Sequence, residues 1–312
     1  MTVALRCVGK IGLGCAGFGK IYGTRSVESL RKVVEVAMKN NIKYFDTAPY
    51  YGDSEKVLGR LLAPYARKSY KLSTKIGRFP STKAHPDGLF DFSSKAVIDS
   101  VERSCRRLRT GYLDVVHCHD IEYADPKQLI NETLPTLGEL KKAGLIEYVG
   151  ISGYPLAALR RILQSSKTRI DFVTSYSNYT LQNSLLGSFH WGKDVKLVNS
   201  GILGMGLLTR RGPEHWHPAS KKLKDTAKKA SEYCEKSEGI DIAEIATKYA
   251  LHGNVADITL VEAYTAEQLE QILHWSHSEP DKRIVNNIQG IFNKANWKNK
   301  LWRPSDHHKI YS

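Results

Sequence analysis

Eight times along this chain a short apolar run stops and a stretch with apolar residues at helical spacing takes over. The runs are Lys10–Gly14, Lys43–Asp46, Tyr70–Thr74, Tyr112–Cys118, Glu147–Ser152, Phe172–Tyr176, Val195–Asn199 and Asp257–Val261. The first helix is expected from Ser26, with Leu30, Val33, Val34 and Ala37 on one face, and the last over Ala266–Trp275. A short helix through Leu181, Leu185, Leu186 and Phe189 is expected between the sixth and seventh runs, and a long polar loop over Gly77–Phe92. Strict alternation implies parallel strands joined by helical crossovers, the α/β class. Eight such units in about 260 residues match a closed (β/α)8 TIM barrel. An open doubly wound sheet uses the same alternation and is the alternative. With 312 residues, 41% of them apolar, there is enough to fill a barrel core.

A barrel of this kind carries its chemistry where the strands end, at the C-terminal face. The second run ends at Asp46, with Tyr51 in the loop after it. The third leads to Lys75, the fourth to His117, Cys118, His119 and Asp120, and the fifth to Ser152. Singly, these read as solvated charges, a surface tyrosine, and a helix capped by Asp53 or Ser54 over Ser54–Leu62. Together they make a proton-transfer site. A phenol titrates near pH ~10 and is a poor base at neutrality, and an adjacent ammonium lowers that value. Asp46 would hold Lys75, and a histidine would orient a substrate hydroxyl. No nucleophile is paired with a base, so acyl transfer is not indicated.

Other signals are weaker. Gly12, Gly14 and Gly17 match the G-x-G-x-x-G dinucleotide fingerprint, but Gly19 and Gly23 follow where a helix should open. The histidine pair lacks a third ligand, so no metal is expected. Five cysteines (Cys7, Cys15, Cys105, Cys118 and Cys234) without a C-x-x-C pair argue against disulfides and for a reducing compartment. With no apolar leader and no apolar run of ~18 residues, neither export nor a membrane partner is expected, and a cytoplasmic location is. The net charge of +14 and pI of about 9.4 raise the chance of an anionic partner. The densest basic run, from Lys221 to Lys229, has helical spacing and no interleaved aromatics to stack bases, so no nucleic-acid partner is expected.

FDTAPYYG at 45–52, STK at 73–75 and LDVVHCHD at 113–120 together resemble the aldo-keto reductases. The resemblance makes Asp46, Tyr51, Lys75 and His119 the catalytic tetrad, with Tyr51 as proton donor and acceptor. His119 is preferred to His117 because it lies five residues after Asp114, where that family's histidine falls. HCHDIEY at 117–123, VGISGYP at 149–155 and SYSNYTLQN at 175–183 are similar to the family's aldose 1-dehydrogenase branch. The likeness spans residues 8–275 of one expected domain over 1–312, with 276–312 as an extension. It implies oxidation of an aldose at C1 to the lactone by hydride transfer to a nicotinamide cofactor. The alternative is a carbonyl reductase of the same fold. Cofactor contacts would come from Gly14, Ser152, Tyr176, Ser200, Gly201, Leu203, Glu262 and Gln268. NADP-using relatives place a lysine, a serine and an arginine where this chain has Glu262, Ala263 and Gln268. A carboxylate repels a 2′-phosphate and accepts from free ribose hydroxyls, which favours NAD. Gly153, Tyr176 and Ser200 depart from the family pattern around the nicotinamide. Phe18, Trp191 and Trp216 are candidate walls of the sugar pocket, and the expected assembly is a monomer or weak homo-oligomer.

Overall fold

The eight expected strands all form, and in the computed structural model they close on one another. Residues 10–19, 25–80 and 89–300 are described. The strands are β1 (Ile11–Gly14), β2 (Tyr44–Asp46), β3 (Lys71–Ile76), β4 (Leu113–Cys118), β5 (Ile146–Gly153), β6 (Phe172–Tyr176), β7 (Lys196–Ser200) and β8 (Ile258–Val261). Each pairs in parallel with its neighbours, and β8 returns to β1 through Ile11 opposite Thr259 and Leu13 opposite Val261. That closure decides for the barrel over the open sheet.

Period-two alternation splits each strand between two cores. Tyr44, Val115, Phe172, Val198, Ile258 and Leu260 fill the barrel interior, where the Tyr44 and Phe172 rings stack at 6.4 Å. Leu72, Val116, Val149 and Val173 belong to the core beneath the helices. Those helices are α1 (Val27–Lys39), α2 (Ser54–Leu62), α3 (Ser94–Leu108), α4 (residues 126–142, with a π-turn at Leu129–Thr133) and α5 (Leu156–Ser165), followed by α6 (Lys221–Tyr233), α7 (Ile242–His252), α8 (Ala266–Trp275) and α9 (Lys282–Lys294). Side chains of Ser26, Ser93, Asp125, Ser220, Asp241, Thr265 and Asp281 accept from first-turn amides and fix where these helices begin.

Three expectations need correction, and one helix lies outside them. The segment between β6 and β7 contains only a 3-10 turn, Leu185–Ser188, instead of a short helix through Leu181 and Phe189. In the stretch expected to be a polar loop, Arg78–Phe79 and Leu89–Phe90 pair as a small antiparallel hairpin, and its remainder falls largely outside the described residues. Helix α2 has Asp53 at its N-cap without a side-chain cap bond, while Ser54 Oγ turns away to the Cys15 carbonyl at 2.6 Å. Helix α9 was not anticipated. Its Ile284, Val285, Ile288 and Phe292 share a core with Leu223, Ala227 and Ala230 of α6 and Ile242, Ile245 and Ala246 of α7.

Candidate active site

The loop after β2 is pinned before it presents anything. Cys15 N donates to the Asp46 carbonyl and Thr47 N to the Ser73 carbonyl, both at 2.8 Å. Ser54 Oγ bonds the Cys15 carbonyl and lies 2.8 Å from Thr47 Oγ1. Pro49–Tyr51 then form one 3-10 turn, ended by Gly52 at φ 62°. Gly19 supports that turn from the β1 side, because a Cβ there would run into the Tyr51 carbonyl.

On this frame the predicted tetrad converges. Lys75 Nζ, buried at the end of β3, donates to Asp46 Oδ1 at 2.5 Å and to the Thr47 carbonyl at 2.8 Å. The same ammonium stands 5.0 Å from the centre of the Tyr51 ring. His119 meets Tyr51 edge-to-face at 5.7 Å between ring centres. The backbone N–H of His119 donates to the Ile76 carbonyl at 2.9 Å, which ties the histidine to the neighbouring strand end. Burial pushes the His119 imidazole down to about 3, with Lys75 and Arg78 adding to that and Asp120 and Asp46 opposing it. The ring is therefore neutral at physiological pH, suited to hydrogen-bond a hydroxyl and not to donate charge.

Two features around the tetrad escaped the sequence. Arg78, buried, pairs with Asp120 and lies 3.8 Å over the Tyr50 ring, building a wall beside His119. Below the tetrad, Ser73 Oγ donates to Asp46 Oδ2 at 2.7 Å and sits 3.4 Å from His117 Nδ1. Ser73 was legible in principle: two residues before Lys75 on a strand, it shares Lys75's face.

The residues expected to hold a cofactor lie at the same end of the barrel. Gly14 ends β1 against the Glu262 side chain. Ser152 donates to the Cys118 carbonyl at 3.3 Å, and Ser200 Oγ to the Ser175 carbonyl at 3.2 Å. Tyr176 ends β6 under Gly201, where a Cβ would lie 2.7 Å from its ring. Gly201 takes φ 67°, and Leu203 follows, half-buried. Gln268, in the first turn of α8, accepts from Tyr264 N at 2.8 Å. Glu262 has surface open to solvent, and its Oε2 accepts from the Tyr264 hydroxyl at 3.1 Å. The protein packed around that carboxyl holds it above the ordinary carboxylate range, with Asp46 pushing the same way and the Tyr264 hydrogen bond resisting.

The glycine at 153 has a local cause. A Cβ there would stand 2.6 Å from Glu122 Oε2, an atom that is buried without a hydrogen-bond partner among the described residues. Glu122 Oε1 accepts from Tyr154 N at 3.0 Å. Of the candidate pocket walls, Trp191 is buried in the helical core, with its indole N–H donated to the Leu186 carbonyl at 3.2 Å, so it packs against a loop. Phe18 is buried in the same core. Trp216 is half-buried in the stretch between β7 and α6. Among the described residues, no three His, Cys, Asp or Glu side chains gather to hold a metal ion, and no helix is long and apolar enough to cross a membrane.

A profile of the Aldo/keto reductase family matches residues 10–292. The chain belongs to this family. It is 33% identical to the L-galactose dehydrogenase of Arabidopsis thaliana over 314 aligned positions, covering 97% of this chain and 95% of the plant protein. It is 35% identical to the D-arabinose 1-dehydrogenase of Saccharomyces cerevisiae, covering 71% of this chain and 68% of the yeast protein. The solved structure of a Bacillus halodurans aldo-keto reductase in its holo form superposes with a TM-score of 0.75 at 23% identity, over 96% of this chain and 95% of that one. The protein is thus an oxidoreductase of the aldo-keto reductase type, on an eight-stranded parallel barrel.

Proposed function

We propose that the protein oxidises an aldose at C1 to the aldonolactone, with NAD as hydride acceptor. The observation that carries this reading is the Lys75 ammonium, held by Asp46 and set against the Tyr51 ring beside a neutral His119. The names of the plant and yeast relatives, both sugar dehydrogenases, support the substrate class.

The residues on the far side of the barrel mouth fit a dinucleotide. Gly201, Gly204, Met205 and Gly206 have φ of 67°, 56°, 52° and 95°, a backbone from which phosphate-cradling nests are built. Helix α8 opens directly after Glu262–Thr265, which suits an anionic group at its N-terminus. When bound, the nicotinamide supplies the hydride acceptor. The remaining work belongs to the chain. Lys75 favours the Tyr51 phenolate, which takes the proton of the anomeric hydroxyl. His119 donates a hydrogen bond that fixes the sugar O1. Asp46 keeps Lys75 from turning toward solvent. Glu262 stands where a 2′-phosphate would be repelled, which supports NAD over NADP.

The test follows nicotinamide absorbance with NAD⁺ or NADP⁺ and D-arabinose, L-galactose, L-fucose or D-glucose. Turnover of at least one aldose, faster with NAD⁺, is expected, and Glu262→Gln should improve use of NADP⁺ by about tenfold, the worth of ~1.4 kcal/mol of lost repulsion. Reduction of simple aldehydes without oxidation of any aldose would replace this reading with a carbonyl reductase. Faster turnover with NADP⁺ in the unmodified protein would refute the role of Glu262.

A further inference from the structure

From the Lys75–Asp46 pair a chain of hydrogen bonds runs on that the proposed reaction does not use: Asp46 to Ser73, Ser73 to His117, and His117 to Thr174. We propose that His117 is a positioning residue for proton transfer, acting through Ser73 on the carboxylate that holds Lys75. This rests on the reading of Tyr51 as the base.

The direction of every bond in the chain follows from chemistry. A carboxylate only accepts, so the Ser73 hydroxyl donates to Asp46 Oδ2 at 2.7 Å. That leaves lone pairs on Ser73 Oγ toward His117, so Nδ1, 3.4 Å away, must carry the imidazole proton. A neutral imidazole has one N–H, so Nε2 is the acceptor, and the Thr174 hydroxyl donates to it at 3.0 Å. Phe172 meets the ring edge-on at 6.3 Å, and Gly150 leaves it room, since a Cβ there would lie 2.7 Å from Nε2. Burial pushes His117 down to about 4, so the ring keeps a single proton at working pH.

The consequence reaches Tyr51 through charge. With Ser73 donating to Oδ2, part of the Asp46 charge is drawn away from Lys75. More of the ammonium's field then falls on the phenol. Without that donor the carboxylate charge concentrates on Lys75, the phenolate is less favoured, and the Tyr51 proton is harder to remove. Other charged or titratable groups face the same pocket: Arg78 beyond β3, His119 and Asp120 at the end of β4, Cys15 beyond β1 and Glu262 beyond β8, while Tyr44 of β2 faces Ser73. The substitutions below leave all of these in place.

The experiment measures kcat/KM for an aldose and NAD⁺ between pH 6 and 10, with NADH binding followed by fluorescence. Asparagine puts its amide nitrogen where Nδ1 stands, and glutamine reaches only the Nε2 position. Ser73→Ala and His117→Gln should move the acid limb of the profile upward by about half to one pH unit with NADH affinity kept. His117→Asn should restore the limb to its original place. An unmoved limb in Ser73→Ala, or equal shifts in His117→Asn and His117→Gln, would show a packing role only and overturn the proposal. The tautomer is read without turnover, by nitrogen-15 NMR of labelled histidines with His117→Gln as the assignment control. An Nδ1–H ring is expected. An Nε2–H ring would overturn the proposal even if the aldose reaction stands, and an absence of aldose turnover with an Nδ1–H ring would instead count against the reaction.

Discussion

A phenol makes a poor base at neutral pH, and in the proposed reaction Tyr51 would depend on Lys75, 5.0 Å from its ring centre, to become a better one. Tyr51→Phe should therefore lower aldose turnover by about 10²–10⁴-fold while NADH still binds, and a near-normal rate would remove Tyr51 from the mechanism. Strand ends alone pointed to Asp46, Tyr51, Lys75 and one of two histidines, and the choice of His119 over His117 came from the family resemblance. Glu122 was not readable in the sequence, since nothing local marks a carboxylate that will be buried. Burial lifts its carboxyl well above the ordinary range, and the Asp120 charge pushes the same way. A raised carboxyl favours the folded state fully only below the unfolded value of 4.5, and that contribution is lost as pH rises toward the folded value. Glu122→Gln, which cannot ionise, should then gain melting temperature relative to the parent as pH goes from 5 to 8. A difference that stays flat over this range would mean that Glu122 is not held protonated.

At the scale of elements, the loop after β2 and helix α9 show two kinds of illegibility. Ser54 has the side chain of a helix cap and stands next to the right position, yet it bonds the Cys15 carbonyl. That partner is 39 residues away and exists only once β1 and β2 are paired, through Gly14 opposite Asp46. Helix α9 carries a clear apolar face, but it follows the eighth repeat, where the barrel pattern creates no expectation. Phe292 on that face is buried against α6 and α7. Phe292→Ala should cost about 3–5 kcal/mol in urea unfolding, the range for an emptied aromatic site. A cost below ~1 kcal/mol would show that α9 rests on the barrel without being part of its core.

Across the whole molecule, closing the barrel makes acid stability a property of its interior. His117 and His119 stay neutral down to about 4 and about 3 in the fold, against an unfolded value of 6.5. A lowered histidine contributes stability that is complete above pH 6.5 and drains as pH falls toward the folded value, at about 1.4 kcal/mol per pH unit per group. His117→Asn has no such charge to admit, so its stability deficit at pH 7 should shrink by a few kcal/mol at pH 4.5, read from urea unfolding at both values. A constant deficit would place His117 in solvent contact.

What the chain determined by itself is local: the period-two runs, the helical stretches between them, and the residues at each strand end, because those patterns are written within a few neighbours. What only the tertiary structure decided is which of those residues touch. Register in the closed barrel sets Asp46 opposite Ser73 and Lys75 opposite His117. It also brings Glu122 against Gly153 and Arg78 over Tyr50. Contacts of this kind depend on strand stagger and on burial, which no single segment of sequence encodes.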